Sequence, residues 1–322
     1  MELKELCELF IRNRDVIKNK YKLEMEYIQA ICALIFTEKR QLIDVDKLEE
    51  CKNLLKERTK YKFGLSINFR GSIQNVMVSI LATDENPAQK IDDTIEFYNE
   101  LKQYFSGSEY LALGAMITTQ YTTDYAKTGE RAKKIYDNMK ENHSMLTSKE
   151  DYIFALLLAL SEKSNHQLDK EIEMNYQVCK DKFGKTNATQ ALSHVLALED
   201  SNANEVVKLY EELKEKGYKY GKEYELPTLG MLTKLGERDI IIDELIEVDE
   251  FLATQKGYGM IGIGKRHRLM HAATLVTIYH LDQSSNTSID IPSIHAATVA
   301  TLGIVLALDL VIMVPIIASS NN

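Results

Sequence analysis

A short pattern, tyrosine followed three positions later by an apolar residue and then by lysine, returns four times through the middle of the chain. The copies are Tyr98, Leu101 and Lys102; Tyr136, Met139 and Lys140; Tyr176, Cys179 and Lys180; and Tyr210, Leu213 and Lys214, at spacings of 38, 40 and 34 residues. Separations of three and four place side chains on one face of an α-helix, so each copy reads as an amphipathic helix with lysine bordering its buried stripe. After each copy the chain runs through a polar turn into a more apolar segment, at 110–117, 152–160, 191–198 and 226–232. A helix, a turn and a more buried helix recurring at this period is the signature of a helical-hairpin repeat, in which each hairpin buries its apolar face on the next. The copies lack the small and aromatic positions of tetratricopeptide repeats.

The expected fold is therefore all-α. It comprises an N-terminal helical subdomain over 1–70, a helical-hairpin repeat array (α-solenoid-like) over 71–237, and a C-terminal helical cap over 238–322 that ends in a hydrophobic helix. The chain has 322 residues, above the roughly 250–300 at which single compact cores stop growing, which favours subdomains or an elongated stack. Only 4 prolines, no tryptophan and few Asn-Gly or Asp-Gly turns argue against a hairpin-rich β protein.

Within this frame, apolar periodicity predicts helices at 2–20, 22–36 and 46–58, the last capped by Asp46, and another at 238–255. Thr147 with Glu150, and Asn202 with Glu205, have capping-box spacing, and Pro227 fits a first helical turn. Phe63, Leu65, Ile67 and Phe69 alternate with the period of a strand. A lone strand has no pairing partner, so an extended connector or a frayed helix start is expected there. The basic stretch 51–62 is interleaved with Leu54, Leu55 and Glu57 and reads as a solvated helix face.

The formal charge of −9 opposes phosphate backbones, so nucleic acid is not an expected partner. Cys7, Cys32, Cys51 and Cys179 lie far apart with no CxxC pair, which suggests buried reduced thiols in a cytoplasmic protein and neither a disulfide framework nor a zinc site. No cofactor motif stands out. The N-terminus carries charges every few residues and lacks the apolar core of a secretory signal.

The segment 256–276 is the one with chemical promise. Gly257, Gly259, Gly262 and Gly264 lead into Lys265, Arg266, His267 and Arg268 at an expected helix start. Backbone amides at such a terminus, with cations beside them, suit a phosphate or carboxylate. The candidate ligand-binding residues are Gly262, Gly264, Lys265, Arg268 and His271, the histidine as acid or base. The glycines can be written G-x-G-x-x-G, but no strand precedes them and no acidic residue follows at dinucleotide-binding distance. A plain inter-helix loop with a solvated basic edge is the simpler reading. His267 and His271 have the i, i+4 spacing of shared metal ligands, yet no glutamate lies between them, His280 falls on the opposite face, and only His295 could complete a set. No metal is expected.

The most apolar segment, 298–318, is long enough to cross a bilayer, but Asp309 would sit near mid-membrane, Pro315 interrupts its end, and no lysine or arginine follows Arg268. A buried helix of the soluble fold is the favoured reading and a C-terminal membrane anchor the alternative.

Two stretches, 146–160 (LTSKEDYIFALLLAL) and 264–276 (GKRHRLMHAATLV), resemble motifs of an uncharacterised Firmicutes family designated a domain of unknown function, number 4003. The resemblance covers nearly the whole chain. It implies a bacterial, helical, cytoplasmic protein and supplies no activity or functional residues. The expected function, from architecture, is a non-catalytic scaffold that binds a protein or peptide. The alternatives are a small-molecule or phosphate-handling enzyme built around Gly257–His271, and a helical protein anchored to a membrane.

Overall fold

The computed structural model describes residues 1–22, 24–60, 65–71, 73–258 and 263–285. Among these it holds fifteen α-helices and two single-turn 3-10 segments, with no β-strand. The chain divides into two compact units, with boundaries inside the first and eighth helices, in the turn that follows the eighth, and just past the end of the ninth.

One unit comprises residues 8–138 and 148–160. It contains most of α1 (Leu3–Lys20), then α2 (Glu26–Glu38), α3 (Val45–Thr59), α4 (Leu65–Phe69), α5 (Gln74–Thr83), α6 (Pro87–Leu101), α7 (Glu109–Thr118), most of α8 (Tyr125–Asn142), and α9 (Tyr152–Ala159). Its centre is built from α2, α7 and α9, in which long runs are buried on every side: Tyr27–Thr37, Tyr110–Thr118 and Tyr152–Ala159. A helix apolar all round belongs inside a core, and each fully buried Leu, Ile or Phe contributes roughly 1.5–3 kcal/mol over its exposed state. Helices α7 and α9 pack so closely that a Cβ on Gly114 would lie 2.6 Å from Leu156 Cδ1. Glycine is favoured there by contact, since any side chain would make Leu156 shift, and not by turn geometry.

Polar side chains set the helix ends. Asp44, not the expected Asp46, caps α3 and accepts from the amides of Asp46 and Lys47. Its extended backbone lets a short carboxylate reach back to those orphan donors, whereas Asp46 already lies inside the helix. Asn86 and Ser108 cap α6 and α7 in the same way. The fully buried Asn13 fixes the loop after α2, donating to the Gln41 carbonyl at 2.9 Å and accepting from the Ile43 amide at 3.1 Å. The alternating stretch near Phe69 forms the short helix α4, in keeping with the expected frayed helix start; residues 61–64 lie outside the described residues.

The other unit comprises 1–7, 139–147 and the residues from Ser161 onward, described to Ser285. Its helices are α10 (Asn165–Phe183), α11 (Asn187–Leu198), α12 (Ala203–Glu215), α13 (Thr228–Leu232), α14 (Arg238–Ala253) and α15 (Gly264–Ser285). Amphipathic α10 packs on α11 and α12, α13 on α11, α12 and α15, and α14 on α12 and α15. The interior is α11, α13 and the buried run Leu269–Ile278 of α15. Asn202 caps α12 as expected. The other expected cap shifts by one residue: Ser148 with Asp151 forms the capping box before α9. Thr147 is unavailable because its buried hydroxyl donates within 3.0 Å of the Met139 and His143 carbonyls and accepts from Gln190 Nε2 at 2.9 Å.

The four recurring tyrosines all sit late in the first helix of a pair, and each meets an aromatic ring at the end of the preceding first helix or its turn. Tyr98 lies edge-on to Phe69 with centroids 5.3 Å apart, and Tyr136 to Phe105 at 5.8 Å. In the other unit Tyr176 lies against His143 at 4.0 Å and Tyr210 against Phe183 at 5.2 Å. Such ring pairs contribute about 0.5–1.5 kcal/mol beyond the area they bury.

All four cysteines are buried and none is in a disulfide. Among the described residues no helix is long and apolar enough to cross a membrane. The expected terminal helix at 298–318 lies outside the described residues.

Candidate functional site

After α12, Gly217 at φ +77° reverses the chain and starts a segment carrying Tyr218, Tyr220, Tyr224 and Glu225. A left-handed backbone without a side chain is the usual way to end a helix. Gly257 at φ +97° and Gly264 at φ +81° make similar turns between α14 and α15. These turns bring the 218–225 segment, Asp249 of α14 and the first turns of α15 together within one unit.

The strongest contact is a forked ion pair. Arg268 Nε donates to Asp249 Oδ1 at 2.7 Å and Nη2 to Oδ2 at 3.2 Å. The aspartate side chain is 4% exposed and the arginine 16%, so water screens the pair little. The carboxylate holds the Arg268 guanidinium above its usual value. Burial raises the Tyr218 phenol, and the nearby Asp249 carboxylate raises it further.

Two histidines of α15 are engaged beside this pair. His271 is 1% exposed, with Nδ1 lying 2.6 Å from the Tyr258 hydroxyl. His267 Nδ1 lies 2.8 Å from the Ile263 carbonyl oxygen and 3.1 Å from Tyr224 Oη. A carbonyl can only accept, so Nδ1 of His267 carries the proton. Burial lowers the His267 pKa and keeps the ring neutral.

Glu225 is 1% exposed and its carboxyl is pushed up by burial. It lies against the bare Cα of Gly221, where a Cβ would fall 1.2 Å from Oε1, so no other residue fits at 221 without moving the acid. Tyr220 completes the group: Thr228 Oγ1 donates to the Glu225 carbonyl at 2.7 Å, so Tyr220 Oη donates to Thr228 Oγ1 at 2.5 Å.

The structure therefore separates the residues singled out from sequence. Lys265 is exposed, its Nζ 5.5 Å above the Tyr218 ring. Arg268 is spent on Asp249, and His271 on Tyr258. Gly264 sets the turn into α15, and Gly262 lies outside the described residues. The His267 and His271 rings are 6.5 Å apart at their centroids, and both Nδ1 atoms already have partners. Among the described residues no three His, Cys, Asp or Glu side chains gather as metal ligands. His280 pairs with Glu244 at 2.5 Å, and His295 lies outside the described residues.

Asp249 escaped the sequence reading although the signal was present. It falls in the register of the tyrosines, late in the first helix of a fifth pair, with buried Leu252 three residues on. Tyr218 lies one residue beyond the place that Phe105, His143 and Phe183 hold seven positions after their tyrosines, a place taken here by Gly217. Extending the period by one copy, with tyrosine replaced by aspartate, would have found Asp249.

Fold and site together define an all-helical protein whose chemistry-bearing residues hold helices to one another. The family described as "Protein of unknown function (DUF4003)" matches residues 13–310, and the chain belongs to that family. It is similar to the "Uncharacterized protein YeaA" of Bacillus subtilis (strain 168), 24% identical over 248 residues that cover 73% of this chain and 74% of the relative. No solved structure matches.

Proposed function

We propose that the recurring hairpins are copies of one helical repeat, α-solenoid-like in kind, and that the protein is a non-catalytic scaffold binding a protein or peptide partner. The observation that carries this reading is the repeated staple: four tyrosines in one register, each against a ring supplied by the hairpin before it. Repeats joined in this way leave the outer faces of their first helices free to vary, and surfaces of this kind serve mainly to hold other chains. The four reduced, buried thiols support a cytoplasmic setting.

A phosphate-handling enzyme around Gly257–His271 has less support, because an incoming anion would have to displace Asp249 from Arg268. The test is selection of a random peptide display library on the immobilised full-length protein, followed by anisotropy measurements on the enriched sequences. Enriched peptides with Kd below about 100 μM support a binding scaffold, and failure of every sequence to bind overturns it. Phosphate-dependent stabilisation that disappears in a Lys265→Ala, Arg268→Ala double variant would favour the enzyme instead.

A further inference from the structure

In a chain of formal charge −9, the lysines of α12 and of the segment after it are mostly neutralised. Lys214 pairs with Glu211, and Lys216 with Asp239 and Asp243. At the start of α15, Arg266 pairs with Glu223 and Arg268 with Asp249. Lys219, Lys222 and Lys265 stand apart: all three are exposed, and none has a carboxylate within ion-pair distance among the described residues. Two of them are placed by rings. Lys222 Nζ lies 5.8 Å from the centroid of Phe183 and 5.4 Å from that of Tyr210, and Lys265 Nζ lies 5.5 Å from that of Tyr218.

We propose that Lys219, Lys222 and Lys265, two of them seated on aromatic rings, form a docking strip for an acidic peptide segment of a partner protein. The inference rests on the binding reading above and names the chemistry of its partner. A cation over a ring face is attracted by the ring's electron density but leaves its N–H donors directed outward. The rings thus fix two ammonium groups in place without neutralising them, which lowers the ordering cost when carboxylates arrive. Arg266 and Arg268 cannot serve because their charges are already matched, and the exposed Glu223 beside Lys222 is itself held by Arg266.

A nucleic acid would need free ring faces for base stacking, whereas the faces of Tyr210 and Tyr218 carry lysines. It would also meet the repulsion of the whole acidic chain. A short carboxylate-bearing peptide feels that field less and needs only the local cations.

The test is fluorescence anisotropy on the full-length protein. The probes are a fluorescein-labelled peptide with glutamates at helical spacing separated by leucines, the same peptide with glutamine for glutamate, and oligothymidylate. The glutamate peptide is expected to bind at least about tenfold more tightly than the glutamine peptide, and to weaken as salt rises. The Lys219→Gln, Lys222→Gln, Lys265→Gln variant is expected to lose about tenfold in affinity, while arginine at the same three positions retains it. Because the three side chains are exposed, circular dichroism should show both variants folded. The strip is overturned if the glutamate peptide does not bind, if the glutamine variant binds it as the wild type does, or if oligothymidylate binds more tightly in a lysine-dependent way. Glutamate-peptide binding that ignores the three lysines would remove the strip while leaving the scaffold reading intact. Failure of every peptide in the library selection would remove both.

Discussion

At Tyr176 the first helix of a pair meets a ring of the preceding pair, while at Asp249, in the same register, it holds the second helix of its own pair through a carboxylate against a guanidinium. Both positions are buried, at 2% and 3% exposure. They differ in how they fail. A ring staple loses area and packing in proportion to what is removed, whereas a buried ion pair leaves a desolvated charge behind when one member goes. The fifth pair is thus the more brittle part of its unit, although it has two hydrogen bonds where the Tyr176 hydroxyl has none among the described residues.

The sharpest way to break the comparison is Asp249→Ala. It should lower unfolding stability by about 3–4 kcal/mol, because Arg268 remains mostly buried without its counter-charge. The double variant Asp249→Leu, Arg268→Met should recover most of that loss, since apolar residues of similar volume can replace such a pair at little cost. Urea denaturation of the three proteins decides the matter. A single variant within about 1 kcal/mol of wild type would show that the ion pair carries no more than a surface bridge.

The two regions should also fail at opposite ends of the pH scale. His194, in α11 beside the Tyr176 staple, is fully buried; burial, helped by nearby His143, pushes it down to about 3. Above the unfolded histidine value of about 6.5 it is neutral in both states. Below that, the unfolded chain takes up a proton that the native state refuses, so stability falls progressively as pH drops from about 6.5 toward 3, by about 3 kcal/mol at pH 4. Glu225 has the opposite sign. Its raised native value stabilises the fold below the unfolded carboxyl value of about 4.3, and that contribution is lost as pH rises through the native value. Stability profiles of His194→Leu and Glu225→Gln should flatten on the acid and the higher-pH side respectively. An unchanged slope in either variant would remove that residue as the source.

The sequence carried the first of these regions further than the second, for a physical reason. The tyrosines, their apolar partners and the buried second helices obey helical periodicity, which is local and repeats, so hairpin positions could be read directly. The caps were legible to within a residue or two, since Asp44 and Ser148 compete with neighbours of the same chemistry and only three-dimensional contacts, such as those of Thr147, decide between them. In the second region, Lys265, Arg268 and His271 were found as residue types at a helix start, but their fates depend on Asp249, Tyr218 and Tyr258 from other segments. A cation's availability is set by its neighbours in space. That is why one basic pair in sequence became one exposed lysine and one committed arginine.

The smallest expected effect tests whether the staples are interchangeable. Tyr98 Oη accepts from Asn68 Nδ2 at 2.6 Å, whereas Tyr176 Oη is buried with no hydrogen-bond partner among the described residues. Removing the first hydroxyl gives up a hydrogen bond worth about 1 kcal/mol. Removing the second relieves a desolvated group that has none, so Tyr176→Phe should be neutral or slightly stabilising. The ring contact is kept in both, so a difference between Tyr98→Phe and Tyr176→Phe in urea midpoint reports on the hydroxyl alone. Equal losses would mean that the Tyr176 hydroxyl is satisfied by ordered water, and that the two staples rest on the same chemistry. A loss at Tyr98 alone would mean that the recurring tyrosine is kept at Tyr176 for its ring, and that phenylalanine or histidine could stand in that register, as they do on the partner side at Phe105, His143 and Phe183.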